Sequence, residues 1–221
     1  MSFGLAALWR RFTDMSGLGT GAAPAGRWVV VDTETSGLDP ARDRLLAIGG
    51  VAVDANGIQL DDSFEIVLKG DRSGDAANIA VHGIGHGAQA TGIAAPDALA
   101  AFRTWAADDP HVGFHTDFDR AVLRNAFAGA GIPADDRPWL DLAPLAMALV
   151  PDAQRYGGRS LDDWLAAFDI ECTIRHNAAS DALATAELLL RLRAIAAKQG
   201  ARGFKALLRT ARQQKWLGNT G

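Results

Sequence analysis

Two acids follow a run of apolar β-branched residues in the stretch VVVDTETSGLDP, Val29 to Pro40. On a strand Asp32 and Glu34 share one face, with Cα atoms about 6.6 Å apart. Two carboxylates at the end of a buried strand repel each other unless a cation joins them. The spacing therefore indicates either a site for a metal cation or a pair of strand-end acids that face water.

A third candidate acid, Asp119, lies in VGFHTDFDRAVLRNAF, in the first turn of a helix expected from about Phe118 to Ala130. Thr116 and Asp119 also have the spacing of a capping box, in which the acid accepts a backbone N–H. Capping and metal binding are both open for this acid.

A histidine precedes the fourth candidate acid in RHNAASDALATAELLLRL, where His176 lies five residues before Asp181. In one continuous helix that offset rotates the two side chains by about 140°. The useful geometry places His176 in a loop and Asp181 in the first turn of a helix capped by Asn177. The alternative is an acid that stabilises the helix dipole, preceded by a surface histidine.

Four acids and one imidazole, brought together from strand and helix ends, would form a site for hard divalent cations. Mg²⁺ prefers oxygen ligands and usually binds a few carboxylates, water and phosphate. Two ions about 3.5–4 Å apart stabilise an in-line displacement at phosphorus. The expected cofactors are therefore two Mg²⁺ ions, for which Mn²⁺ is expected to substitute.

Three motifs occur in order: VDTETSGL, VGFHTDFD and HNAASD. They resemble the exonuclease motifs of the DEDDh 3′–5′ exonucleases, the family of the proofreading epsilon subunit of DNA polymerase III and of ribonuclease T. The resemblance runs from about Trp28 to Arg193 and implies a ribonuclease H-like α/β fold, a mixed sheet of about five strands flanked by helices. The residues that it implies as ligands of two metal ions are Asp32, Glu34, Asp119 and Asp181.

The resemblance also makes His176 the general base that takes a proton from the attacking water. In the related tyrosine subtype a tyrosine stands four residues before the last acid, and that position is Asn177 here. The chain departs from many relatives at Phe114 and His115, where a His-Asn pair is common, and at Ala47, which is often acidic. We expect changed contacts near the scissile end and near the terminal sugar.

Candidate substrate contacts are Thr33, Thr35, Leu38 and His82. Leu38 would wedge against the terminal base, with core packing as the alternative. His82, in the segment VHGIGHG, is expected to border the nucleotide site. A zinc site at His82 and His86 is disfavoured, because no cysteine accompanies them in this glycine-rich segment.

The chain of 221 residues is 48% hydrophobic and carries a formal net charge of −4, an ordinary composition for one domain with a full core. Cys172 is the only cysteine, which excludes an intrachain disulfide and suits a reducing compartment. The apolar stretch at the start is too short to span a membrane, and its arginines follow it, unlike those of a signal peptide. The sequence predicts a cytoplasmic protein with no membrane partner.

The sequence divides into a flank and linker at 1–26, an exonuclease domain at 27–197 and a basic segment at 198–221. Strands are expected in RWVVVD, LLAIGGVAV and IQLDDSFEIVL, with a type I′ turn at Asn56-Gly57 between the last two. In the third strand, alternate apolar residues predict one buried face. Those residues are Ile58, Leu60, Phe64, Ile66 and Leu68.

The expected partner is a single-stranded 3′ end, of DNA or of RNA, from which nucleoside 5′-monophosphates are released. The basic C-terminal segment is expected to contact either nucleic acid or a partner DNA polymerase. Two other functions stay open from the motifs: a silent nucleic-acid or polymerase-binding module, and a small-nucleotide phosphohydrolase.

Overall fold

The computed structural model describes residues 26–70, 83–133, 136–153 and 160–218. Within these ranges the strands are β1 (Trp28–Thr35), β2 (Leu45–Val53), β3 (Ile58–Val67), β4 (His111–Gly113) and β5 (Trp139–Asp141). The helices are α1 (His86–Ala90), α2 (Ala95–Ala106), α3 (Asp117–Gly129), α4 (Leu142–Leu149), α5 (Leu161–Ala167), α6 (Ala178–Lys198) and α7 (Phe204–Gly218). Residues 1–25 of the expected flank and linker fall outside the described residues.

The strands form a single mixed sheet in the order β3-β2-β1-β4-β5. Strands β1, β2 and β3 pair antiparallel, whereas β4 pairs parallel with β1 and β5 parallel with β4. The predicted mixed sheet of about five strands flanked by helices is confirmed. Because β1, β4 and β5 run in the same direction, their carboxyl ends meet at one edge of the sheet, where sites in such folds form.

The hairpin between β2 and β3 is confirmed, but the predicted type I′ turn is wrong. A type I′ turn needs positive φ at both central residues, and of Asn56 and Gly57 only Gly57 has it, at 123°. Asp54 instead donates its N–H to the Gly57 oxygen at 3.0 Å and accepts the N–H of Asn56 on its side chain at 2.7 Å. The acid at the first position of the loop thus stabilises a longer connection.

The predicted alternation in β3 is wrong at Leu60, which is 67% exposed. The pairing of β2 with β3 jumps from Val51↔Ser63 to Ala52↔Gln59. The extra residues on β3 form a bulge, which breaks the two-residue period that would have buried Leu60. Phe64, beyond the bulge, is buried as expected.

Two hydrophobic cores lie on the two faces of the sheet. Trp28 and Val30 contribute to the core beneath α4, α5, α6 and α7. Val29 and Val31 contribute to the opposite core, beneath α2 and α3. By the alternation of a strand, Asp32 and Glu34 continue the face of Val30. The two acids therefore lie on the α6 side of the sheet.

A close approach between β2 and the start of α6 fixes that helix against the sheet. Gly49 pairs with Asp32 across the β1–β2 ladder. A Cβ atom on Gly49 would lie 2.1 Å from the carbonyl carbon of Ala178, the first residue of α6. Only a glycine fits this contact, and it brings the first turn of α6 next to Asp32.

The predicted cap at Asn177 is confirmed, and the structure adds a cap at Ser160. Ser160 and Asp163 form a reciprocal capping box at α5, and Asn177 accepts the N–H of Ser180 at the start of α6. Among the described residues, no helix is both long and apolar enough to cross a membrane.

Substitution of Gly49 by alanine is expected to destabilise the protein by at least about 1–3 kcal/mol, because the added methyl group overlaps the α6 backbone. Urea unfolding followed by circular dichroism would measure the change. Gly129→Ala is the matched control, since a Cβ there meets nothing within 4 Å. An equal free energy of unfolding for Gly49→Ala and the wild type would contradict the packing argument.

Candidate active site

Three of the predicted acids meet at the carboxyl end of β1. Asp32 and Glu34 come from β1, and Asp181 comes from the first turn of α6. One carboxylate oxygen from each of the three lies within 4.8 Å of the other two. Asp181 is 4% exposed, and the other two are partly buried. The structure thus brings together acids that are far apart in the sequence.

Asp119 reaches the same place from the other layer. It lies in the first turn of α3, which packs on the opposite face of the sheet. Thr33, on that face of β1, donates its hydroxyl to Asp119 Oδ1 at 2.7 Å. Burial raises the pKa of Asp32, and the neighbouring negative charge of Asp119 raises it further. Thr116 makes no side-chain cap at α3, so the capping-box alternative for Asp119 is wrong.

His176 lies in the loop before α6, as predicted, and its side chain is exposed. Its backbone adopts a positive φ of 59°, and its N–H donates to Asp181 Oδ2 at 2.9 Å. The loop therefore fixes the orientation of Asp181 through the backbone of His176. The role of His176 as the general base stays a prediction.

Sequence reasoning missed Arg175. Its guanidinium pairs with Asp181 through one nitrogen and with Asp162 of α5 through Nε, at 2.5 Å. The only signal in the sequence is a basic residue directly before the histidine of the third motif. Its significance depends on Asp162, which comes close only when α5 has packed beside α6. Arg175 supplies one positive charge to the acidic cluster.

Burial and neighbouring negative charges raise the pKa values of Asp32, Glu34 and Asp119. Burial, followed by the charges of Asp119, Asp181 and Glu34, raises the pKa of Asp32 well above its ordinary value. Burial and the charge of Asp181 raise the pKa of Glu34 to about 7. Burial raises the pKa of Asp119 to about 6, against the opposing hydrogen bond from Thr33. Buried carboxylates so close to one another fit a divalent cation, which needs several oxygen ligands.

The candidate substrate contacts have different surroundings. The Thr33 hydroxyl is bonded to Asp119, and the Thr35 hydroxyl donates to the Gly37 oxygen at 2.6 Å. Leu38 is 91% exposed, so its core-packing alternative is wrong and contact with a base stays a prediction. His82 lies outside the described residues. Substrate contact by Thr33, Thr35 and His82 also stays a prediction.

The two departures from the family pattern lie close to the acids. Ala47 is 3% exposed and pairs with Glu34 across β1 and β2, so an apolar methyl group stands beside that acid. Phe114 packs against the core on the α6 side, and its ring contacts that of His115 at 4.7 Å between centroids. The His115 N–H donates to Asp141 at the end of β5.

A family model described as Exonuclease, RNase_T, matches residues 29–189. The chain is 30% identical over 174 residues to DNA polymerase III PolC-type of Bacillus subtilis (strain 168), covering 78% of this chain and 12% of that protein. It is 32% identical over 190 residues to the DNA polymerase III subunit epsilon-like protein of Rhodobacter capsulatus, covering 84% of this chain and 26% of that protein. The chain thus spans only a small part of the length of either relative.

Among solved structures, the chain is similar to E. coli Exonuclease I in complex with a dT13 oligonucleotide. The TM-score is 0.67 at 19% identity, covering 79% of this chain and 42% of that one. It is also similar to Exonuclease X in complex with 5′ overhanging duplex DNA. There the TM-score is 0.64 at 20% identity, covering 83% of this chain and 99% of that one. These likenesses confirm the predicted fold.

The raised pKa values make the stability of the metal-free protein depend on pH. Ordinary carboxyl pKa values in an unfolded chain are about 4, whereas that of Glu34 is about 7 in the folded chain. The folded state therefore binds more protons, and the free energy of unfolding falls as the pH rises through this window. In EDTA, Glu34→Gln is expected to melt progressively higher than the wild type from pH 4.5 to 7.5, with little difference below.

Thermal melting across this pH range would test the expectation. Asp61→Asn is the matched control, because Asp61 is an exposed acid on β3 outside the cluster. If Glu34→Gln and Asp61→Asn changed the melting temperature equally at every pH, the repulsion argument would fail.

Proposed function

Because the chain belongs to the RNase_T exonuclease family, we propose that it is a metal-dependent 3′–5′ exonuclease acting on single-stranded DNA. The membership confirms the resemblance to the DEDDh exonucleases inferred from the three motifs. The observation that carries the proposal is the meeting of Asp32, Glu34 and Asp181 within 4.8 Å. Asp119, held by Thr33 beside Asp32, supplies the fourth carboxylate.

The acids would hold two divalent metal ions, and Mg²⁺ suits their all-oxygen chemistry. When bound, such ions lower the pKa of a water molecule and stabilise the charge that develops on the phosphate oxygens. The carboxylates are close together and at least partly buried, and the pKa values of Asp32 and Glu34 are raised. These properties support metal binding, because a cation would offset the repulsion between the carboxylates.

His176 takes the proton of the attacking water in this proposal. The water oxygen forms a bond to phosphorus and the bond from phosphorus to O3′ breaks. The O3′ oxygen takes up a proton from solvent, and the chain shortens by one nucleoside 5′-monophosphate. The exposed ring of His176 at the border of the cluster suits this exchange of protons with solvent. A general base has to reach the water within about 2.6–3.2 Å.

Single-stranded DNA is the proposed substrate, and a DNA polymerase is a proposed partner. The support is similarity to proteins named DNA polymerase III and to Exonuclease I, solved with an oligonucleotide. RNA is the competing polymer, because a few contacts to the 2′-hydroxyl decide between the two.

Digestion of 5′-labelled single-stranded DNA and RNA of one sequence, with Mg²⁺, with Mn²⁺ and with EDTA, tests the function. The wild type is expected to give a metal-dependent ladder that shortens from the 3′ end, and Asp32→Ala is expected to abolish it. His176→Ala is expected to lower turnover by about 10²–10⁴, the usual effect of losing a general base. His115→Ala, at another exposed histidine that precedes Asp119 by four residues, is the matched control and is expected to change turnover far less.

Two results would contradict these assignments. Full turnover in His176→Ala would remove it as the general base. Failure of the wild type to shorten either polymer with either metal would overturn the exonuclease and favour a silent binding module or a small-nucleotide hydrolase.

Arg175 is expected to compete with metal for Asp181. An ion at about 100 times its dissociation constant stabilises a protein by about 2.7 kcal/mol. Arg175→Met is expected to lower the melting temperature in EDTA, because Asp181 loses its counterion, and to increase the gain on adding Mg²⁺ or Mn²⁺. Thermal melting measures both effects. Arg191→Met, on the exposed side of α6, is the matched control, and a smaller metal gain in Arg175→Met than in the control would show that Arg175 assists binding.

A further inference from the structure

Helix α7 carries a row of basic side chains on the side opposite its core contacts. Leu207 and Ala211 are buried. Lys205, Arg209 and Arg212 are exposed and follow the spacing i, i+4, i+7, which places them on one side of a helix. Trp216 continues this side at i+11 and is 66% exposed. We call these three bases the basic stripe, with Trp216 at its end.

The stripe is positive although the whole chain has a formal charge of −4. Helix α7, FKALLRTARQQKWLG, contains no acid. Within the described part of the chain, none of the three bases of the stripe lies in an ion pair. Their charges therefore face solvent and are not neutralised by an ion pair with any described residue.

The helix runs from the far end of the sheet to the edge that carries the acids. The Phe204 ring, at the start of α7, contacts that of Trp28, the first residue of β1, at 5.3 Å between centroids. Near the other end, Lys215 pairs with Asp117 at 2.5 Å. Asp117 is two residues before Asp119, in the first turn of α3. Lys205 and Trp216 are separated by about 16 Å along the axis at 1.5 Å per residue, and Trp216 follows Lys215 at the end of α7 that contacts the first turn of α3.

A row of basic side chains that ends in an exposed aromatic ring can bind single-stranded nucleic acid along its backbone. Basic side chains contact successive phosphates, and an aromatic ring stacks on a nucleobase of any sequence. The acids of the active centre repel phosphates when no cation is bound, so the positive charge that draws in the substrate has to lie elsewhere. The stripe provides that charge at the border of the centre.

We propose that α7 binds the single strand upstream of its 3′ end, with phosphates on Lys205, Arg209 and Arg212 and a base stacked on Trp216. The inference rests on the proposed function, because it assigns the polymer contacts of that same site. The committed occupant is single-stranded DNA; binding of a protein to the same helix is an outcome of the test.

The test compares a triple variant, Lys205→Gln, Arg209→Gln and Arg212→Gln, with a matched triple control that removes the same charge elsewhere. The control is Arg103→Gln, Arg191→Gln and Lys198→Gln, on α2 and α6. Equilibrium binding of 5′-fluorescein-(dT)20 is followed by anisotropy in EDTA between 50 and 200 mM salt. EDTA prevents hydrolysis and leaves the acidic centre repulsive to DNA. Binding therefore depends on basic side chains outside that centre. Circular dichroism checks that both variants are folded.

The stripe variant is expected to bind (dT)20 about tenfold more weakly than the control at low salt. The slope of log K against log salt should become shallower by about 2, because each phosphate contact on a single strand contributes about 0.7. Trp216→Ala is expected to weaken binding at least about fivefold through lost stacking, with the slope unchanged. Trp216→Phe should restore most of that loss.

Equal dissociation constants and slopes for the stripe and control variants would overturn the proposal and leave α7 as a surface for a protein. Because binding is measured without metal, this result is independent of whether the wild type cleaves DNA. With metal present, the stripe variant should have a raised KM for (dT)20. Its KM for (dT)3 should rise far less, because (dT)3 is too short to follow the helix. A similar rise in KM for both lengths would show that the substitutions act on the active centre, and it would contradict DNA binding along α7.

Discussion

The carboxylates of Asp32, Glu34 and Asp181 repel one another, and the backbone holds them together against that repulsion. Strand alternation fixes the first two on one face of β1. The contact of Gly49 with Ala178 fixes the third, because it sets the height of α6 above the sheet. These positions depend on the main chain rather than on side-chain rotamers. The backbone therefore holds the three acids in position for the proposed cation, although the Arg175 side chain, which pairs with Asp181, would have to give way when one binds.

Arg175 shows how far the protein alone can neutralise this charge. Its guanidinium binds Asp181 and Asp162, which lie on neighbouring helices, and so contributes to the junction of α5 and α6. The pKa values of Asp32 and Glu34 nevertheless stay raised, because burial and the remaining negative charges outweigh this one base. A divalent ion carries twice the charge and accepts several oxygen ligands at once. The single arginine is thus a partial counterion.

The sequence predicts the elements and the meeting of the acids better than it predicts the contacts between elements. Strand β2 and the cap Asn177 follow from an apolar run and local hydrogen bonding, which are properties of short segments. The exposure of Leu60 cannot be predicted from a short segment, because the bulge depends on how β3 pairs with β2. The ion pair of Arg175 likewise depends on a residue of another helix. Long-range pairing is the information that local patterns lack.

The acids come from both layers of the fold, and this has a consequence for thermal inactivation. Asp181 belongs to the layer of α6, whereas Asp119 belongs to the layer of α3, which has a separate core. Helices in separate cores open with different free energies in native-state exchange. An opening of α3 alone would detach Asp119 and leave the β1 acids and α6 in place. If Asp119 holds metal as proposed, the protein would then lose activity while most of its helical signal persisted, and activity would report on whichever layer is less stable.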